Sequence, residues 1–106
     1  MKLSITGRHL EITPHLRQHI DQRFDRFTKL DGHIIAADVV LFRDRAVAVA
    51  EARLHLSHTV FTAKGSGSDM YLAVNDLVDK LHTQLKRYED KLHSRKRAPS
   101  PRRRLE

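Results

Sequence analysis

Lys80, Arg87 and Lys91 are separated by seven and four residues, with Gln84 between them and Lys86 alongside. On a helix such spacings bring side chains to one face, next to the apolar stripe. A row of cations on one face suits a nucleic-acid backbone, because each phosphate it neutralises releases condensed counterions. A second basic group, Arg17, Arg23 and Arg26, stands earlier in the chain. The plainer reading is that both rows are solvated helix faces, with Asp79, Glu89 and Asp90 at hand to pair with them. Spacing alone favours that plainer reading.

Other chemistries have weaker support. His15 and His19 stand one helical turn apart, which is metal-ligand spacing, but His-Leu-Arg-Gln-His lacks the glutamate of the zinc-protease motif and no third ligand is placed. No Ser-His-Asp set or paired carboxylates can be defended either. The expectation is therefore a protein that is not an enzyme, with no metal, no cofactor and no small-molecule substrate. The run from Lys64 to Ser68, Lys-Gly-Ser-Gly-Ser, precedes a helix, where anions are favoured. It lacks P-loop spacing, and Asp69 puts a carboxylate at the helix start, so it reads as a turn with a cap. Tyr71 and Phe42 are candidates to stack on an unpaired base, although core packing or edge shielding is the stronger reading for both. His55 and His58 are expected at the surface or a sheet edge.

The charge that makes a polyanionic partner attractive is unevenly spread. The 106 residues carry a formal +7 with a pI near 10.3. From Ser94 onward there are six Lys or Arg against one acid, whereas residues 1–93 hold 14 bases and 12 acids. The body must therefore gather its cations on one surface if it is to bind nucleic acid. The tail, with two prolines and no apolar face, is expected to be disordered and to add affinity by charge alone. There are no cysteines, which removes disulfides and thiolate metal sites and fits a reducing cytosol. No stretch has signal-peptide or membrane-span character, so a soluble, cytoplasmic protein is expected.

The elements that would position these residues follow from periodicity. Residues 2–6 alternate, with Leu3 and Ile5 on one face of a strand that Gly7 breaks. Thr13-Pro14 is a helix start, and Leu16, Ile20, Phe24, Phe27 and Leu30 form that helix's apolar stripe up to a cap at Asp31-Gly32. Two alternating strands come next. Ile35, Ala37, Val39 and Leu41 make one core face; Ala48, Ala50, Ala52, Leu54 and Leu56 make the other, with the turn at Arg43-Asp44-Arg45. The alanines leave a shallow floor on which a helix can lie close, while Asp38, Glu51, Arg53 and His55 face water. A short fourth strand from Val60 to Lys64 points Phe61 and Ala63 inward. After the Gly-Ser run, with a serine as N-cap, Met70, Val74, Leu77, Leu81, Leu85, Tyr88 and Leu92 mark a long amphipathic helix. The expected fold class is α+β: a β-α-β-β-β-α two-layer sandwich, a four-stranded sheet with both helices on one face, over residues 1–93.

That order, with the run Asp69-Met70-Tyr71-Leu72-Ala73-Val74-Asn75-Asp76-Leu77-Val78-Asp79-Lys80-Leu81 and the following Gln84-Leu85-Lys86-Arg87, resembles the ribosome hibernation promoting factor and ribosome-associated inhibitor family. The opening Leu3-Ser4-Ile5-Thr6-Gly7, then Glu11-Ile12-Thr13 and Leu16-Arg17, is similar to the same family's start. Asn75 departs from the pattern, which more usually has an acid there. Long members of the family add a C-terminal dimerisation domain, and the length here matches a short form. The resemblance implies binding in the small ribosomal subunit, over the places where messenger and transfer RNA sit, with inhibition of translation and ribosome hibernation or dimerisation. Arg17, Arg23 and Arg26 match basic positions of the family. It further implies ribosomal RNA as the partner, no membrane, and a monomer when free. Two rivals remain. A double-stranded RNA-binding module also runs α-β-β-β-α but needs cations where Asp69 stands, and a protein-interaction domain would use the open sheet face.

Overall fold

The structure, a computed structural model, describes the backbone of residues 1–30 and 34–97 and, within these, the side chains other than those of 28, 30 and 92–97. In chain order the elements are β1 (Lys2–Gly7), α1 (Pro14–Leu30), β2 (Ile34–Asp44), β3 (Val47–Leu56), β4 (Val60–Gly67) and α2 (Met70–Arg97). The sheet order is β1-β2-β3-β4, with β1 parallel to β2 and the other pairs antiparallel. A parallel neighbour cannot be reached by a tight turn, so α1 supplies the crossover. Both helices and the inner sheet face feed one core, which is the expected two-layer α+β sandwich.

Helix α1 begins as its sequence dictates. The Leu16 amide donates to Thr13 Oγ1 at 3.2 Å, and Pro14 occupies the first helical position. Leu16, Ile20, Phe24 and Phe27 are buried, the two phenylalanines edge to face with centroids 5.4 Å apart. The expected cap at Asp31-Gly32 lies outside the described residues.

On β2 the register corrects one residue. Ile35 is 58% exposed while Ile34 is buried, because the pairing with β3 shifts between Ile34 and Ala36 and the bulge turns Ile35 out of the core. Ala37, Val39 and Leu41 point inward as expected, as do Ala48, Ala50, Ala52, Leu54 and Leu56 on β3. The hairpin turn also moves, since Asp44 still pairs with Val47 and the loop is Arg45-Ala46. Arg45 takes φ 60° and the Arg43 guanidinium donates to the Ala46 carbonyl at 3.1 Å. The outer face is not uniformly wet either: Val49 is buried there, opposite half-buried Phe42.

The larger correction concerns residues 65–68, expected as a loop. Gly65 and Gly67 pair with Ala50 and Ala48, so β4 runs on to Gly67. The glycines are there for the helix above them. A Cβ on Gly65 would lie 2.3 Å from the Leu77 nitrogen and 2.5 Å from the Ala73 carbonyl oxygen, both backbone atoms of α2. With the alanines of β3 beside it, Gly65 lets α2 rest directly on the sheet. Asp69, not a serine, caps α2: its Oδ1 accepts the Leu72 amide at 2.9 Å. Ala73, Val74, Leu77, Val78, Leu81 and Leu85 are buried beneath the helix. Because α2 continues to Arg97, residues 94–97, expected to open a disordered tail, are helical. Residues 98–106 lie outside the described residues. No described helix is long and apolar enough to cross a membrane.

Candidate nucleic-acid interface

Strand β4 is an edge, and an edge strand leaves amides and carbonyls without partners. Helix α2 covers this one with side chains spaced one turn apart. Asp76 Oδ2 accepts the Ser66 amide at 3.0 Å, Lys80 Nζ donates to the Lys64 carbonyl at 3.1 Å, and Gln84 Nε2 donates to the Thr62 carbonyl at 3.0 Å. Lys80 also meets Asp76 at 3.1 Å. The Ser66 amide, with help from Lys80, holds the Asp76 carboxyl below the ordinary carboxylate range against the opposing effect of burial. Lys80 is thus partly a structural residue, one member of a strap that closes the sheet edge.

Three of the seven cations expected at the interface, Lys80, Arg87 and Arg26, line two grooves, one on either flank of α2. Between α2 and β4, Lys80, Gln84 and Arg87 line a groove of about 470 Å³ together with Asp79 and with Lys64, whose ammonium pairs with Glu51 at 3.9 Å. Between α2 and α1, Arg26 and Lys29 face His82 and Asp79 across a groove of about 450 Å³ floored by Phe27 and Val78. Lys86, seven residues from Asp79, stands on the exposed crest that separates them. Lys91 is exposed one turn beyond Arg87. The two rows therefore do not merge into a single stripe; the crest of α2 divides them.

The groups on α1 separate by helical geometry. His19 touches α2, its Nε2 3.0 Å from Asn75 Oδ1 and its ring 5.0 Å from that of Tyr71. Arg23 and Arg26 lie four and seven residues on and share that side, whereas Arg17, nine residues before Arg26, falls on the opposite flank. Lys29 pairs with Asp25 at 3.7 Å. Among the described residues, Asp79 and Asp90 form no ion pair with Lys86, Arg87, Arg23 or Arg26, and Glu89 has a partner of its own. Lys64, Lys29 and His82 were not singled out from sequence. Lys29 was legible, three residues after Arg26; Lys64 contributes its carbonyl to the strap, while its ammonium pairs with Glu51 at 3.9 Å.

The remaining candidates have structural roles. His19 is engaged with Asn75 and Tyr71 rather than aligned with His15, and among the described residues no three His, Asp or Glu side chains could hold a metal ion. Asn75 is thus a contact between the two helices. The Gly-Ser run offers no phosphate cradle: the Ser66 and Leu72 amides are taken by Asp76 and Asp69. His55 lies on the outer sheet face, its Nε2 3.0 Å from Asp38 Oδ2.

Comparison with known proteins bears on the family and the fold. The model of the family described as Sigma 54 modulation protein / S30EA ribosomal protein matches residues 3–93. A ribosome hibernation promoting factor of Klebsiella oxytoca is 36% identical over 92 residues, which is 87% of this chain and 97% of that protein. Among solved structures, a ribosomal subunit interface protein from Coxiella burnetii superposes with a TM-score of 0.81 at 26% identity, over 85% of this chain and 99% of that one. The N-terminal domain of Protein Y from Thermus thermophilus does so with 0.77 at 30% identity, over 83% and 99%.

Proposed function

This chain belongs to the Sigma 54 modulation protein / S30EA ribosomal protein family, and from that premise we propose that it is a ribosome hibernation factor that binds the small subunit over the messenger and transfer RNA channel and blocks translation. Ribosomal RNA is the partner, met by the helix side of the molecule. The observation that carries this reading is the pair of grooves flanking α2, with Lys80 and Arg87 on one side, Arg26 and Lys29 on the other, and Asp79 lining both. Two parallel grooves separated by a ridge can receive two stretches of phosphate backbone, with Lys86 on the ridge reaching either and Lys91 extending the β4-side row. Arg23 stands behind Arg26 on the same flank. Arg17 enters only as a separate contact on the far side of α1. The double-stranded RNA module loses ground, because Asp69 and Asp76 neutralise the start of α2 where such a module needs cations.

The variant R26E/R87E takes one cation from each groove and spares the strap. Binding to purified small subunits should weaken at every salt concentration. The slope of log K against log salt should also become shallower by about 1.5, at roughly 0.7 to 0.9 per lost phosphate contact. An unchanged slope would remove both grooves from the interface.

A further inference from the structure

The outer sheet face carries a second constellation that the helix-side grooves do not use. Beyond Gly7 the chain stays beside β2, the Arg8 amide donating to the Leu41 carbonyl at 2.8 Å. It then folds back sharply. A Cβ on Gly7 would lie 2.7 Å from the Leu10 carbonyl oxygen, and His9 adopts φ 57°, a left-handed conformation that costs a non-glycine residue energy. This tight turn sets Arg8 over Phe42, Cζ 4.3 Å from the ring centroid, with Glu51 bracing the guanidinium at 3.7 Å. Arg8, His9, Leu10, Phe42 and Arg43 enclose a depression of about 260 Å³ that no carboxylate lines. Arg43 is held at its edge by the bond to the Ala46 carbonyl, which uses one of its five N–H donors.

We infer that this depression is a second RNA contact, one that takes a single unpaired nucleotide. One face of the Phe42 ring is already covered by Arg8, so a base stacks on the outer plane of the guanidinium, a surface that unpaired RNA bases use as readily as an aromatic ring. The adjoining phosphate lies between His9 and Arg43. The backbone strain at His9 is explained by this role, since it aims the imidazole at the rim of the depression. Val49, buried on the outer face, stands beside Phe42 as its cross-strand partner. RNA as the partner rests on the function proposed above, but the site lies on the opposite side of the sheet, so the protein would be gripped from both sides.

The test uses the full chain with two probes: a fluorescein-labelled, unstructured ten-nucleotide RNA read by anisotropy, and purified small subunits read by sedimentation. R8K keeps the charge and loses the plane; R43Q removes the phosphate partner; R26E/R87E serves for comparison, and circular dichroism checks each fold. R8K should weaken decamer binding about tenfold, the weight of roughly one stacked base, and R43Q by a similar factor. Both should weaken subunit binding as well. Decamer binding unchanged in R8K and R43Q overturns the inference, and if subunit binding still falls, the depression contacts a ribosomal protein instead. The helix-side reading fails separately, if R26E/R87E binds subunits like the wild type.

Discussion

Gly65→Ala should be among the most damaging single-methyl additions this protein can receive. The added Cβ would meet the Leu77 nitrogen at 2.3 Å, the Ala73 oxygen at 2.5 Å and the Leu77 Cα at 2.7 Å. All three are backbone atoms in the middle of a helix, so no rotamer change relieves the clash. Restoring ordinary contact requires α2 to lift by roughly 1 Å, and a gap of that size forfeits about a quarter to a half of the dispersion energy at the contacts it opens. Those contacts belong to Ala73, Val74 and Leu77, all buried, and the lift also stretches the bonds from Asp76, Lys80 and Gln84 to β4. Overpacking of this kind typically costs about 1–3 kcal/mol. The strap adds to that, while the stiffer unfolded chain returns about 0.4–1 kcal/mol. The expected net loss is about 2–3 kcal/mol, which for a domain of this size lowers Tm by roughly 10–20 °C. Thermal and urea unfolding followed at 222 nm read it directly. Gly67→Ala is the graded comparison: its Cβ would also meet α2, but less tightly, with Leu72 Cβ at 2.7 Å and the Ala73 nitrogen at 3.0 Å, at the exposed start of the helix; it should cost less than G65A. A G65A protein within about 2 °C of the wild type, where 1 kcal/mol is worth about 4–8 °C, would refute the idea that α2 seats directly on β4.

Lys80→Glu and Arg87→Glu, two charge reversals seven residues apart on α2, should separate strap from interface. K80E leaves the Lys64 carbonyl without its donor and sets a second carboxylate one turn from Asp76, costing about 1 kcal/mol, whereas R87E should leave the urea midpoint unchanged and weaken subunit binding. Asp76 gives a pH signature: its carboxyl is depressed in the folded state, so it contributes stability above its unfolded pKa that disappears as pH falls below about 4. Comparing urea midpoints at pH 7 and pH 3, the wild type should lose more than D76N, and equal losses would show that the Ser66–Asp76 bond contributes nothing. Asp76 is partly exposed, so this difference should be small.

Much of the fold was legible because its signals are local. Thr13-Pro14, the stripe from Leu16 to Phe27, the alternation along β3 and the spacing from Val74 to Leu85 each dictate an element without reference to the rest of the chain. What escaped were features set by neighbours. A glycine pair before a helix reads as a turn when only flanking residues are considered; that Gly65 continues a strand depends on α2 lying above it. The bulge at Ile35 depends on how β2 pairs with Leu56 and His55, and two adjacent isoleucines give no local reason to prefer either for the core. The basic residues of α2 were found by spacing, but spacing does not say that Lys80 is occupied by a strand edge or that the crest of the helix parts the cations into two grooves. Arg17, Arg23 and Arg26 looked equivalent in sequence, and only the side on which His19 meets α2 distinguishes the first from the other two. Phe42 was considered as a stacking residue in its own right; Arg8, thirty-four residues away in sequence, covers its ring through the parallel pairing of β1 with β2.

The most direct test of the central claim is sedimentation of the protein with purified small ribosomal subunits, at low and moderate salt, in the presence of a molar excess of unrelated duplex RNA. Stoichiometric co-sedimentation that weakens with salt yet survives the competitor is the predicted result. Loss of the protein to the competitor would contradict a defined ribosomal site and leave a general RNA-binding module in its place.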